Sequence, residues 1–100
     1  MTWENYVKQM VNEHTDIDKL SLRVGRTYYD IYGFDELTVY CLDNRGVPIN
    51  VFDVMLSTFS KRDDYLHLVA NDQGVIVTYT IFYKDVEKVT KNSPIPYPGI

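Results

Sequence analysis

Residues 65–89 read YLHLVANDQGVIVTYTIFYKDVEKV, the longest stretch of strong β-signal in the chain. Leu66, Leu68 and Ala70 alternate with Tyr65, His67 and Val69. Beyond a turn, Val75, Val77, Tyr79, Ile81 and Tyr83 alternate with Ile76, Thr78, Thr80 and Phe82. A period of two is the mark of strands. Between the runs lies Asn71-Asp72-Gln73-Gly74, whose Asn and Asp side chains and closing glycine predict a type I turn with a bulge. That turn sets Ala70 opposite Val75, Leu68 opposite Val77 and Leu66 opposite Tyr79. The apolar faces of both strands then coincide, and a slip by one residue would turn one of them into water.

Working upstream, Lys61-Arg62-Asp63-Asp64 is a charged turn. Before it, Val47, Ile49 and Val51 alternate on odd positions, and Phe52, Val54 and Leu56 on even ones. A bent strand with a bulge near residues 51–53 accounts for the switch, with Pro48 at its start where a missing N–H matters least. A short helix over residues 52–60 is the competing reading, because Phe52, Met55, Leu56 and Phe59 share a helical face. Leu37, Val39 and Cys41 mark a further strand, closed by Asn44-Arg45-Gly46.

A separate hairpin is expected at residues 20–31. Gly25-Arg26 is its two-residue turn, which sets Val24 opposite Thr27, Leu22 opposite Tyr29 and Leu20 opposite Ile31. Ser21, Arg23, Tyr28, Asp30 and Tyr32 fall on the other face, with Arg23 opposite Tyr28 as a stacked pair. At the start of the chain Thr2 can cap a helix whose stripe is Trp3, Tyr6, Val7, Met10, Val11 and His14. That stripe is expected to lie on the protein's own sheet. Downstream of Phe82, Tyr83-Lys84-Asp85 predicts one tight helical turn and residues 86–89 a short last strand.

The fold class expected is therefore α+β, an N-terminal helix packed on a strongly bent antiparallel sheet or small barrel with an extra hairpin. Residues 1–91 form its single domain, and 92–100 a Pro-rich extended tail. The 100 residues, 45% apolar and 24% charged, fit a globular chain. A net charge of −4 argues against general affinity for phosphate backbones. One cysteine excludes an internal disulfide framework, and no leader-like segment precedes the helix, so a reducing cytoplasmic location is expected. No apolar run approaches the ~18 residues that insert into a bilayer.

Residues able to do chemistry are few. Cys41 falls on the inferred core face and reads as a buried, inert thiol. His14 ends the helix, where an imidazolium suits the dipole, and His67 faces away from the core beside Thr78. Two histidines without a spaced Cys or His partner make no zinc site, and Asp16-Ile17-Asp18 lacks the Gly and bidentate Glu of a calcium loop. Asp63-Asp64 reads equally as an acidic pair or a solvated turn, and the five glycines are scattered among turns. No catalytic, metal or cofactor site is expected, and the chain reads as a non-enzyme.

Taken in order, residues 37–89 give strand, glycine turn, long bent strand, charged turn, strand, turn, strand, tight helical turn and short strand. That order resembles an SH3-like small barrel and, more narrowly, the Sm-like fold, which also begins with a helix. Asp64-Tyr65-Leu66-His67-Leu68-Val69 resembles the end of the first Sm motif, with His67 where Asn is common. Residues 81–89, IFYKDVEKV, have the apolar spacing of the second motif without its Arg-Gly; they are similar to the Tyr-Lys-His form of the bacterial RNA-chaperone branch, with Asp85 in place of His. The resemblance implies RNA contact by Lys84 and His67 and ring assembly through edge strands.

The leading functional expectation is a small non-catalytic intracellular protein-binding module, an adaptor or inhibitor of a larger protein, of a kind compatible with phage or mobile-element origin. Its candidate contacts are Arg23, Tyr28, Asp30, Tyr32, Phe34, Asp35 and Glu36, where aromatics lie beside carboxylates as in interface cores and rims. An Sm-like RNA-binding ring and a homo-oligomeric structural component are the alternatives. The nine tyrosines suit strands and interfaces alike, so only their placement can decide between these uses.

Overall fold

The structure, a computed structural model, describes residues 2–15, 18–33 and 35–92. Helix α1 (Trp3–Asn12) is followed by β1 (Lys19–Val24), β2 (Thr27–Tyr32), β3 (Glu36–Leu42), β4 (Pro48–Lys61), β5 (Tyr65–Asp72), β6 (Val75–Phe82), a 3₁₀ turn at Tyr83–Asp85 and β7 (Lys88–Asn92). The strands make one antiparallel sheet in the order β6-β5-β4-β3-β2-β1-β7. Six strands meander in chain order, and the 3₁₀ turn returns the chain so that β7 pairs with β1. Among the described residues β6 and β7 do not pair, so the sheet is not closed into a barrel. The α+β class stands. Phe34, Asp16, Ile17 and tail residues 93–100 lie outside the described residues.

Local chemistry accounts for the elements. Thr2 caps α1, its Oγ1 accepting from the Asn5 amide at 3.1 Å. Val7 and Val11 are fully buried, whereas Trp3 and Tyr6 on the flank of the stripe stay exposed and stack on each other with centroids 5.4 Å apart. The helix packs on the 3₁₀ turn and β7, and the Trp3 Nε1 donates to the Val86 carbonyl. Tyr83 is completely buried, with its hydroxyl donating to the Arg62 carbonyl at 3.3 Å.

The sheet folds its inner face onto itself. Leu20 and Leu22 of β1, Ile31, Leu37, Val39, Val54, Leu66, Leu68, Ala70 and Ile81 form one buried cluster with Val7, Val11, Tyr83 and Val86. Tyr29 of β2 and Tyr79 of β6, four strands apart, meet edge to face with centroids 5.6 Å apart. The bend lies in β4, a 14-residue strand that slips register twice, against β3 between Val39 and Cys41 and against β5 between Leu56 and Thr58. Each bulge adds a residue to one strand and increases its twist. The bent strand is thus the observed form of residues 48–61, not the helix; its first bulge is at Asn50, with φ 55°, and Val51, at the start of the expected stretch.

Three expectations are corrected. The first hairpin has the register read from its turn, but the second is shifted by two: Asp72 pairs Val75, Ala70 pairs Val77, Leu68 pairs Tyr79 and Leu66 pairs Ile81. The connection is only Gln73-Gly74, both with positive φ (52° and 88°), the geometry of a type I′ turn. Asn71 still bonds locally, its Oδ1 accepting from the Gly74 amide at 2.8 Å, but from within the strand. Cys41, expected to be buried, is exposed. It shares the inner face with Val39, yet at the far end of β3 that face has run out of cover, and its neighbours Ile49 and Phe52 are exposed as well. Finally, the last strand starts at Lys88 and includes Asn92, later than residues 86–89 and past the expected domain boundary.

The turn assignment is open to a direct check. Gln73→Asn, which favours positive φ, raises the melting temperature, and Gly74→Ala lowers stability by about 1 kcal/mol or more, because its Cβ is strained at that φ. The four-residue turn would leave Gln73→Asn without effect.

Candidate functional site

Alternation places the second set of side chains from β1, β2 and β3 on the outer face of the sheet, where register arranges them in rows across the strands. The first row is Arg23, Tyr28 and Tyr40; the second Ser21, Asp30, Thr38 and Asp53; the third Lys19, Tyr32, Glu36, Met55, Asn71 and Ile76. Neighbours in a row are about 5 Å apart, so each row forms a connected strip.

In the first row Tyr28 stacks on Tyr40, with ring centroids 4.8 Å apart and planes 10° from parallel. Arg23 does not take the stacked position expected of it. It turns toward the β7 side and pairs with Glu87 at 3.2 Å, where the backbone of residue 87 also donates to the Arg23 carbonyl at 2.7 Å. Aromatic stacking holds both rings in one orientation, contributing about 0.5–1.5 kcal/mol beyond burial.

Asp30 is the centre of the second row and, although on the outer face, is only 5% exposed. Ser21 Oγ donates to its Oδ1 at 2.7 Å, the Tyr40 hydroxyl donates to the same oxygen at 3.5 Å, and Lys19 Nζ lies 3.6 Å from Oδ2. Burying a carboxylate is costly unless it is paired and bonded, and these three groups meet that need. The Tyr40 hydroxyl is pushed up to about 12, first by burial and then by the Asp30 charge, with smaller contributions from Tyr28 and Tyr32. Next along the row, Thr38 Oγ1 donates to Asp53 Oδ1 at 2.6 Å.

The third row is the open one. Tyr32 is exposed, with Lys19 Nζ 5.6 Å from its ring centroid. Beyond Glu36, Met55 and Ile76 are 65% and 63% exposed, among the most open large apolar side chains of the described residues. Asp35 contributes through its backbone: its carbonyl accepts from the Leu56 amide at 3.0 Å and fixes the β2–β3 turn over β4. Of the expected contacts, Tyr28, Asp30, Tyr32 and Glu36 share this face, Arg23 lies at its β7 edge, and Phe34 falls outside the described residues. Tyr40, Met55 and Lys19 were not among the expected residues. Counting β3 against β2 from the Gly33 turn would have found Tyr40 opposite Tyr28.

His67 and Lys84 lie elsewhere, toward β6. His67 pairs with Thr80, not Thr78, its Nδ1 3.4 Å from the Thr80 hydroxyl. Lys84 Nζ is 5.9 Å from the Phe82 ring, which itself contacts Tyr65. Asp63 and Asp64 are close enough to this corner to help raise the Tyr83 hydroxyl to about 12, after burial. Among the described residues no three His, Cys, Asp or Glu side chains gather as a metal ion would require, and no helix is long and apolar enough to cross a membrane.

These features define a small α+β domain whose seven-stranded antiparallel sheet keeps its core on one face and an ordered tyrosine surface on the other. Comparison with family models, curated proteins and solved structures found no match for the chain.

The tyrosines carry a pH signature. Tyr40 and Tyr83 hold their protons to about 12 when folded against an ordinary 10.0, so their neutral forms favour the folded state fully below pH 10 and that contribution is lost as pH rises toward 12. Asp30→Asn removes the charge beside Tyr40 and lowers its titration midpoint, without restoring the ordinary value, because burial is the larger cause. Tyrosine ring resonances followed through an alkaline titration check this; an unmoved Tyr40 midpoint contradicts the placement of Asp30.

Proposed function

We propose that the chain is a non-catalytic protein-binding module, an adaptor or inhibitor that engages a larger protein through the outer face of β1–β3 and the adjoining part of β4. The carrying observation is that Tyr28 and Tyr40 are held in order, with Tyr32 and Met55 exposed on the same face, which the core does not use. The inner cluster is complete without them. Stacking and the Asp30 network fix the rings in advance, so binding costs little side-chain entropy, which is where a rigid aromatic surface gains affinity.

The surface has the composition of a binding site. Aromatic and methionine side chains alternate on it with Lys19, Glu36 and Asp53, and the Arg23–Glu87 pair lies at its β7 edge, the mixture of aromatic and charged groups that interfaces use. A phosphate backbone needs clustered cations, and the net charge of −4 opposes that use.

Tyr32→Ser and Met55→Ser together test the reading. Both side chains are exposed, so the doubly substituted chain keeps its melting temperature within a few degrees. Immobilised against proteins of the native host, the unaltered chain retains a partner that the variant loses by tenfold or more in affinity, about 1.4 kcal/mol. Identical retention by both chains contradicts the proposal, as does a large loss of stability, which would make these residues part of the fold.

A further inference from the structure

The two edges of the sheet differ in chemistry. β7 carries Lys88 and Lys91 within five residues, and lysine on an edge discourages pairing with another chain. β6 reads VIVTYTIF, eight residues without a charge, a proline or a glycine. Among the described residues it has β5 on one side and no strand on the other, and Val75, Ile76 and Phe82 are 62%, 63% and 40% exposed. A long, unbulged, uncharged edge of this kind is a template for strand pairing.

We propose that β6 joins two copies of this chain edge to edge in a twofold dimer whose sheets run on continuously. The register follows from the turn. A hairpin closed by two residues makes its flanking pair, Asp72 with Val75, a bonded pair; bonded pairs then recur at Val77, Tyr79 and Ile81. The N–H and C=O groups of Ile76, Thr78, Thr80 and Phe82 therefore point away from β5. A twofold axis normal to the sheet keeps the outer faces together and requires antiparallel pairing between residues of like parity.

Centred on Tyr79, that arrangement uses every outward group: Ile76 lies opposite Phe82 of the second copy, Thr78 opposite its Thr80, and the reciprocal pairs complete the ladder. On the outer face the two most exposed apolar residues of the strand's even set cover one another. On the inner face Tyr79 lies opposite its own copy on the axis, flanked by Val77 opposite Ile81, which each copy already buries. No charge opposes its own copy across the axis, and a strand that complements itself in this way needs no foreign segment. Tyr28, Tyr32 and Tyr40, on β2 and β3, lie well away from the join and remain free in both copies.

Light scattering coupled to size exclusion of the full chain, over a dilution series, reads the outcome. The expected result is twice the mass of one chain at high concentration, falling to one on dilution. Thr78→Pro removes an outward donor without touching the β5 ladder, and Ile76→Lys places a lysine on the edge; each raises the dimer dissociation constant by roughly tenfold or more. Circular dichroism confirms folding, and if the proline variant fails to fold the lysine variant decides, since residue 76 is exposed. A chain that stays monomeric at every concentration, or a folded lysine variant whose dimer dissociation constant is unchanged, overturns the proposal.

Discussion

One short helix has to serve a wide sheet, and most of the structure follows from that mismatch. Ten residues of α1 span about 15 Å, whereas seven strands at ~4.8 Å spacing extend over about 29 Å. The helix therefore covers only the β7 side with the 3₁₀ turn. The remaining apolar face is buried by bending the sheet across β4, until Tyr29 and Tyr79 touch. Two bulges in one long strand supply that bend. Where the fold-over ends, at Cys41, Ile49 and Phe52, the same face is left open.

Bending inward has an outward consequence. The convex face is relieved of any role in the main core, and its polar and aromatic residues organise among themselves. Asp30 illustrates this: a buried carboxylate on the outer surface is sustainable only because Ser21, Tyr40 and Lys19 converge on it. The Lys19 end of the ion pair stands partly in water, where its attraction for Asp30 is screened. Position matters more than energy here, since the network sets the direction of Tyr40 and, by stacking, of Tyr28. A surface ordered to this degree is suited to recognition by shape.

What was legible in the sequence depended on whether an error would have been punished. The first hairpin's register was readable because Gly25-Arg26 leaves one way to close the loop with both apolar sets inward. In the second, a shift of two keeps every side chain on its proper face, so alternation alone could not distinguish the registers; Asn71 and Asp72 looked like turn residues but belong to β5. β4 was ambiguous because its bulges switch the period partway along. Cys41 was misplaced because alternation reports which face a residue occupies, not how far cover extends along it. For the site, Tyr28, Asp30, Tyr32 and Glu36 came from one strand's alternation and its turn. Tyr40 and Met55 required knowing which strands are neighbours, and Arg23 was drawn from Tyr28 by Glu87, a residue 64 positions away.

The bend is tested most directly by nuclear Overhauser contacts between the rings of Tyr29 and Tyr79. With centroids 5.6 Å apart in an edge-to-face pair, the bent sheet predicts strong ring-to-ring cross-peaks between these two residues, which belong to strands with no shared ladder. Absence of those cross-peaks, with the β3–β4 and β4–β5 ladders intact, would describe an open, flatter sheet and contradict the self-covered core on which the free outer face depends.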